Sequence, residues 1–88
     1  MKIKNIFYSS HFRNAFRKIS PAIQKKAFEK EELFRQECFQ PSLKTHKLKG
    51  ELKDYWAFSV SHSCRIMFIF EENSSVSFID IGSHSIYE

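Results

Sequence analysis

Beyond position 54 the apolar residues fall on alternate positions. Trp56, Phe58 and Val60 share one parity, and Tyr55, Ala57, Ser59 and Ser61 share the other. In the run CRIMFIF, Ile66, Phe68 and Phe70 form one set and Arg65, Met67 and Ile69 the second. A period of two is the spacing of a strand. It predicts strands over 55–62, 64–71 and 75–81, separated by turns at Ser61-His62-Ser63 and Glu72-Asn73-Ser74. Consecutive strands joined by short turns make an antiparallel meander.

The first half follows a different rhythm. Residues 2–8 (KIKNIFY) suit a short first strand. Ser9-Ser10 offers a helix cap, and HFRNAFRKI follows with Phe12, Phe16 and Ile19 at helical spacing. Ser20-Pro21 is a second start signal, with serine at the cap and proline at the first helical position. That helix is predicted to run to about Cys38, with Ile23, Ala27, Phe34 and Cys38 near one face and Phe28 and Leu33 beside the stripe. Pro41 closes the helical region, and PSLKTHKLKGELK reads as a basic connection.

The predicted order is β-α-α-β-β-β, an α+β domain over residues 1–88. A helix hairpin packs on one face of a small sheet that ends in an antiparallel meander. The set Trp56, Phe58, Val60 is the apolar one, so it is expected to meet the helices. Its spacing assigns Trp56 to the core rather than to a base-stacking platform. The face holding Arg65 and Ser59 is then the open one.

Composition narrows the reading. Eighty-eight residues allow one small core, and ten phenylalanines supply large side chains to fill it. The amino terminus has charges inside its apolar run, so no signal peptide is expected, and no stretch approaches the roughly 20 apolar residues needed to cross a bilayer. Cys38 and Cys64 are too few for a disulfide framework, which fits a cytoplasmic protein. The net charge is +4, but residues 1–50 hold 12 Lys/Arg against 4 Asp/Glu, while residues 51–88 hold 2 against 6. That asymmetry is compatible with one surface facing a polyanion, and equally with solvated helix faces such as KKAFEKEE.

The open face is expected to be edged by Lys44, His46, Lys47, Lys49 and Lys53 from the connection, by Arg65 from the strand, and by His84 and Tyr87 from the tail. An arginine in an apolar strand needs a partner or an open surface. Arg65 is therefore either a phosphate-binding fork or half of a salt bridge, with Asp80 or a glutamate opposite. Histidine titrates near neutrality and serves as acid or base. His84 is favoured because Gly82 and Ile86 bracket it and suggest a placed tail; His46 is even between site and solvated loop; His11 and His62 read as surface residues. No Gly-rich phosphate loop, HExxH pair or metal-ligand spacing is present, so neither cofactor nor metal is implied.

Three segments together resemble the RelE/ParE superfamily of type II toxins: HKLKGELKDYWAFSV, CRIMFIFEE and VSFIDIGSHSIYE. The likeness lies in Leu-Lys-Gly before the second predicted strand, Arg near the start of the third, and Ile-Gly-x-His-x-x-Tyr at the end. It covers the whole chain and its element order. The tail points to the RelE and YafQ-like mRNA interferases, which cleave mRNA on the translating ribosome. The resemblance implies a cytoplasmic endoribonuclease held inactive in a complex with a cognate antitoxin. By the same resemblance His84 is acid or base, Tyr87 stacks or positions, His46 assists, and Arg65 stabilises the scissile phosphate. Lys47, Lys49 and Lys53 hold the RNA backbone.

One departure stands out. Where YafQ-like sequences place a histidine and an aspartate, this chain has Ser59 and Ser63. Two alternatives follow: a ParE-like inhibitor of DNA gyrase, which acts by binding, and a degenerate toxin that binds only its antitoxin.

Overall fold

The structure is a computed structural model, and it describes residues 1–87. Two helices cover one face of a five-stranded mixed sheet. The elements are β1 (Asn5–Tyr8), α1 (Ser10–Arg17), α2 (Pro21–Gln36), β2 (His46–Lys47), β3 (Trp56–Ser61), β4 (Cys64–Phe70) and β5 (Ser75–Gly82), with short 3₁₀ turns at Pro41–Leu43, Gly50–Leu52 and His84–Tyr87. The strand order is β1-β5-β4-β3-β2. β1 lies parallel to β5, and the other pairs are antiparallel.

Both helix starts follow from their serines. The Ser9 hydroxyl accepts from the Phe12 amide at 3.0 Å and donates to the Ile79 carbonyl at 3.1 Å, so one cap also ties α1 to β5. Ser20 accepts from the Ile23 amide, with Pro21 at the first helical position. α2 ends at Gln36, two residues before the expected Cys38, because Glu37 takes extended angles (φ −157, ψ 101). Cys38 still reaches the core and is fully buried. β1 is shorter than residues 2–8. Ile3 and Lys4 bond instead to the Arg35 and Ser74 carbonyls, which holds the buried Ile3 against the core without extending the strand pairing.

The expected helix-side face holds, but the other face is open only in part, since Ala57 and Met67, of the same parity as Ser59 and Arg65, are buried. Phe34 of α2 is fully buried, stacked on Phe58 with 4.6 Å between ring centroids and edge-on to Phe68 and Phe78. Trp56 packs edge-on to Phe70 and Phe39, as part of the core margin. Leu33 packs half-buried against the core, whereas Phe28 is 61% exposed.

Two features lie outside the expected pattern. β2 is a two-residue strand inside the basic connection, pairing His46 with Ala57 and Lys47 with Trp56. In β5 the register shifts between Phe78, opposite Phe68, and Asp80, opposite Met67. The extra residue, Ile79, is a bulge. It lets Val76, Phe78 and Ile81 all be buried, although Phe78 and Ile81 have the wrong parity for one face of a regular strand.

Candidate functional site

The site is organised around Arg65. In β4 it lies opposite Ser59 of β3 and Gly82 of β5, so its flanking positions are small. Directly opposed residues share a sheet face, so all three lie on the face away from the helices. One guanidinium nitrogen, Nη1, donates to the carbonyls of Ser61 (2.9 Å), His62 (3.3 Å) and Cys64 (3.4 Å). The side chain is thus folded against the β3–β4 turn. Of the two partners considered for it, neither a glutamate nor Asp80 is engaged among the described residues. Asp80 instead faces Nε2 of the exposed His11 at 3.2 Å and accepts from the Ile81 amide. The positive charge of Arg65 is held by carbonyl dipoles, with no carboxylate partner among the described residues.

The tail closes over this point. A Cβ on Gly82 would lie 2.8 Å from Cγ2 of Ile86, closer than real side chains approach. Glycine is therefore required by contact, since it lets the His84–Tyr87 turn sit directly on the end of β5. Within that turn the rings of His84 and Tyr87 meet edge to face, with centroids 5.5 Å apart. His84 is exposed and Tyr87 half-buried. Burial pushes the Tyr87 phenol above its ordinary pKa, opposed by the nearby charge of Arg65. The phenol therefore stays protonated and able to donate. Its hydroxyl is buried with no hydrogen-bond partner among the described residues. A buried donor of this kind is uncommon in native proteins and calls for an explanation.

On its other side Arg65 lines a cleft of ≈ 320 Å³. β2 pairs only with Trp56 and Ala57, so the outer edge of β3 beyond Ala57 borders no strand. The cleft opens along this edge, between Ser59–Ser61, the Pro41–Leu43 turn and α2. Its charged lining is Lys26, Lys30, Lys44 and Arg65, joined by His62, with no acidic residue. Four fixed positive charges around one hollow favour a polyanion, and an irregular backbone edge supplies further polar groups.

The remaining expected residues divide. His46 lies across Ala57 and diagonal to Ser59, on the same face as Arg65 but two strands away, roughly 10 Å between strand axes. Its Nδ1 lies 2.9 Å from the Lys44 carbonyl. A carbonyl only accepts, so Nδ1 carries a proton, and Nε2 is the ring nitrogen without a hydrogen-bond partner among the described residues. Lys47 pairs with Trp56 and so points to the helix side of the sheet. Lys49 and Lys53 flank the Gly50–Leu52 turn at the start of β3, roughly 13 Å along the strand from Ser59. The structure does not bring these three lysines to Arg65. It brings Lys26, Lys30 and Lys44. The signal for the first two was their i, i+4 spacing on one helix face, which is silent about which part of the sheet that face overlooks. Ser59 stands directly beside Arg65, so no imidazole occupies that point, and Ser63 is exposed in the turn. No group of three or more His, Cys, Asp or Glu able to hold a metal ion occurs among the described residues. No helix among them is long and apolar enough to cross a membrane.

No protein-family model and no curated protein sequence matches the chain. Solved structures do. The chain is similar to the YoeB/ParE toxin from Agrobacterium tumefaciens (TM-score 0.78, 13% identity, covering 92% of this chain and 99% of that one). It is similar to YafQ from Escherichia coli (0.70, 15%, 93% and 94%). It is also similar to the archaeal RelE–RelB complex from Pyrococcus horikoshii (0.72, 11%, 94% and 96%). Two helices on a five-stranded mixed sheet are the architecture of these toxins, and this chain has the RelE/ParE toxin fold.

Proposed function

We propose that this protein is the toxin of a type II toxin–antitoxin pair and cleaves mRNA on the translating ribosome. The observation that carries the reading is Arg65. It is free of any carboxylate partner among the described residues, close to the unpartnered hydroxyl of Tyr87, and on the wall of an acid-free basic cleft. Its Nη1 is engaged by carbonyls, and the rest of the fork is suited to two phosphate oxygens. The Tyr87 hydroxyl is a donor poised for a third. Together they would stabilise the charge that builds on phosphorus as the 2′-oxygen attacks.

The reaction needs one proton removed from the 2′-hydroxyl and one delivered to the 5′-oxygen that leaves. The phosphorus–5′-oxygen bond breaks as the 2′-oxygen–phosphorus bond forms, giving a 2′,3′-cyclic phosphate and a 5′-hydroxyl. His84, exposed and held edge-on by Tyr87, is the proton-transfer group. His46, with Nε2 free, is the second candidate, across the same face. Lys47, Lys49 and Lys53 would serve as outer contacts to the RNA backbone, and Lys26, Lys30 and Lys44 as inner ones. The two histidines lie on opposite sides of Arg65. A site so open depends on an external frame to align the RNA, which agrees with cleavage on the ribosome. The partner would be an antitoxin, and the RelE–RelB neighbour is itself a complex with one.

Ser59 beside Arg65 favours one second reading, a ParE-like gyrase inhibitor that binds without cutting. Mapping mRNA 5′ ends after incubation with translating ribosomes separates the two. Codon-phased cuts that drop about 10²–10⁴-fold in His84→Ala, and comparably in Arg65→Ala, are expected. No cuts, together with lost gyrase supercoiling, would establish the inhibitor instead.

A further inference from the structure

Three features that disfavour the folded chain meet at the basic cleft. Lys26 and Lys30 stand one turn apart on α2, and neither forms a salt bridge among the described residues. Like charges at that spacing oppose a helix. Lys44, which ends the Pro41–Leu43 turn, has left-handed backbone angles (φ 52, ψ 39), where glycine or asparagine is usual. The Ser61 hydroxyl is buried with no hydrogen-bond partner among the described residues. All four residues line the same hollow. A bound anion would offset each cost: it pairs the lysines, uses the side chain that the strained backbone presents, and accepts from the hydroxyl once that rotates.

The lining says which anion. At ≈ 320 Å³ the hollow matches the smaller of small-molecule sites, which span roughly 300–1,000 Å³. Beside the lysines and Arg65 it offers the side chains of Ser42, Ser59 and Ser61, and no aromatic ring lines it. It therefore lacks the stacking platform that holds single-stranded bases. A nucleic-acid strand brings one charge per nucleotide, and sugars separate those charges. A linear triphosphate brings about three to four charges on adjacent phosphorus atoms, with terminal oxygens for cations and hydroxyls alike. Only the second concentrates charge as the cleft does.

We propose that this cleft is a binding site for a linear oligophosphate, either inorganic or the phosphate chain of a free nucleotide. The chain lies along the outer edge of β3, between the lysines of α2 and Lys44, and any nucleoside attached to it stays outside. Occupancy would deny the RNA backbone its inner lysines. That consequence rests on the ribonuclease reading; the binding itself does not.

The test is titration calorimetry of the full-length protein at about 0.15 M salt, without divalent cations, using inorganic tripolyphosphate, ATP and orthophosphate as probes. Tripolyphosphate and ATP are expected to bind about tenfold or more tightly than orthophosphate, and a preference of about tenfold for one of the two assigns the source. Both should weaken about tenfold or more in Lys26→Ala/Lys30→Ala, and stay unchanged in Arg13→Ala/Arg17→Ala, which removes equal charge from α1. Lys44→Gly should bind about threefold or more weakly yet melt no lower than the unaltered protein, because glycine adopts the left-handed backbone freely. Circular dichroism confirms that each variant is folded. No saturable binding, no preference over orthophosphate, or equal weakening in the two double variants overturns the proposal in favour of diffuse charge attraction. So does a short 5′-hydroxyl RNA that binds through Lys26 and Lys30 and that tripolyphosphate fails to displace, which would reserve the cleft for RNA. A lack of mRNA cuts on ribosomes would overturn the ribonuclease reading and leave this site standing.

Discussion

The two hollows share a wall and little else. Ala27, Phe28 and Glu31 of α2 border an apolar groove against α1, while Lys26 and Lys30 border the basic cleft. One helix thus presents aromatic area to one side and cationic charge to the other. The groove has surface to bury and two positive charges, Arg13 and Arg17, in its lining. The cleft has four fixed charges and little apolar surface. Burial contributes roughly 25 cal/mol per Å² whatever the salt, whereas contacts to phosphate weaken as salt rises. The groove's lining suits an apolar partner and the cleft's an anionic one, and they should answer differently to the same perturbations.

The largest effect should come from the residue that supports both. Phe34→Ala removes the ring that joins α2 to Phe58, Phe68 and Phe78, and is expected to cost about 3–5 kcal/mol. Thermal denaturation measures it, and both hollows should fail together. If binding at one survives in a fully unfolded variant, the shared wall is not what shapes them. Gly82→Ala should separate tail from core. Its methyl drives Ile86 away at a cost of about 1–3 kcal/mol, displacing His84 and Tyr87. Cleavage should fall while oligophosphate binding at the cleft persists; equal loss of both would point to global damage.

Lys26→Ala/Lys30→Ala is the milder probe. Each lost phosphate contact should reduce the salt slope of single-stranded RNA binding by about 0.7, with no change in melting temperature beyond that of surface variants. An unchanged slope would remove α2 from the RNA path. The smallest effect belongs to Tyr8, on the groove floor. Burial, and then Glu31, push its pKa up to about 12 from an ordinary 10. The folded chain therefore holds this proton more tightly than the unfolded chain. The associated stability is complete below pH 10 and is lost as pH rises towards 12. Tyr8→Phe should cost about 1 kcal/mol at neutral pH, from the lost bond to Glu31, and should flatten the alkaline decline seen in denaturation midpoints.

Reading the fold from residues succeeded where one period dominated. The parity of Trp56, Phe58 and Val60 named the buried side of β3, and Ser9 and Ser20-Pro21 named both helix starts. It fell short at β2, because two residues carry no period. It also fell short at Ile79, where a bulge breaks parity so that both Phe78 and Ile81 reach the core. The candidate site shows the same division. Gly82, His84 and Tyr87 stand together in sequence, and their joint placement was legible. The charges near Arg65 were legible only in part: Lys44 of the connection lines the cleft as expected, but Lys47 faces the helix side, Lys49 and Lys53 lie far along β3, and Lys26 and Lys30 take their place.

What the chain determines by itself is local: where helices start, which parity is buried, and that the tail around His84 is a placed segment. Those outcomes depend on contacts between neighbours a few positions apart, whose geometry the backbone period dictates. Only the tertiary structure decided that α2 brings Lys26 and Lys30 to the uncovered edge of β3, that Asp80 turns to His11 rather than to Arg65, and that Phe28 stays exposed over a groove. Each depends on how far β2 extends, where β5 bulges and how the helices cross the sheet. Those are set by the simultaneous packing of the core, and no single stretch of residues encodes them.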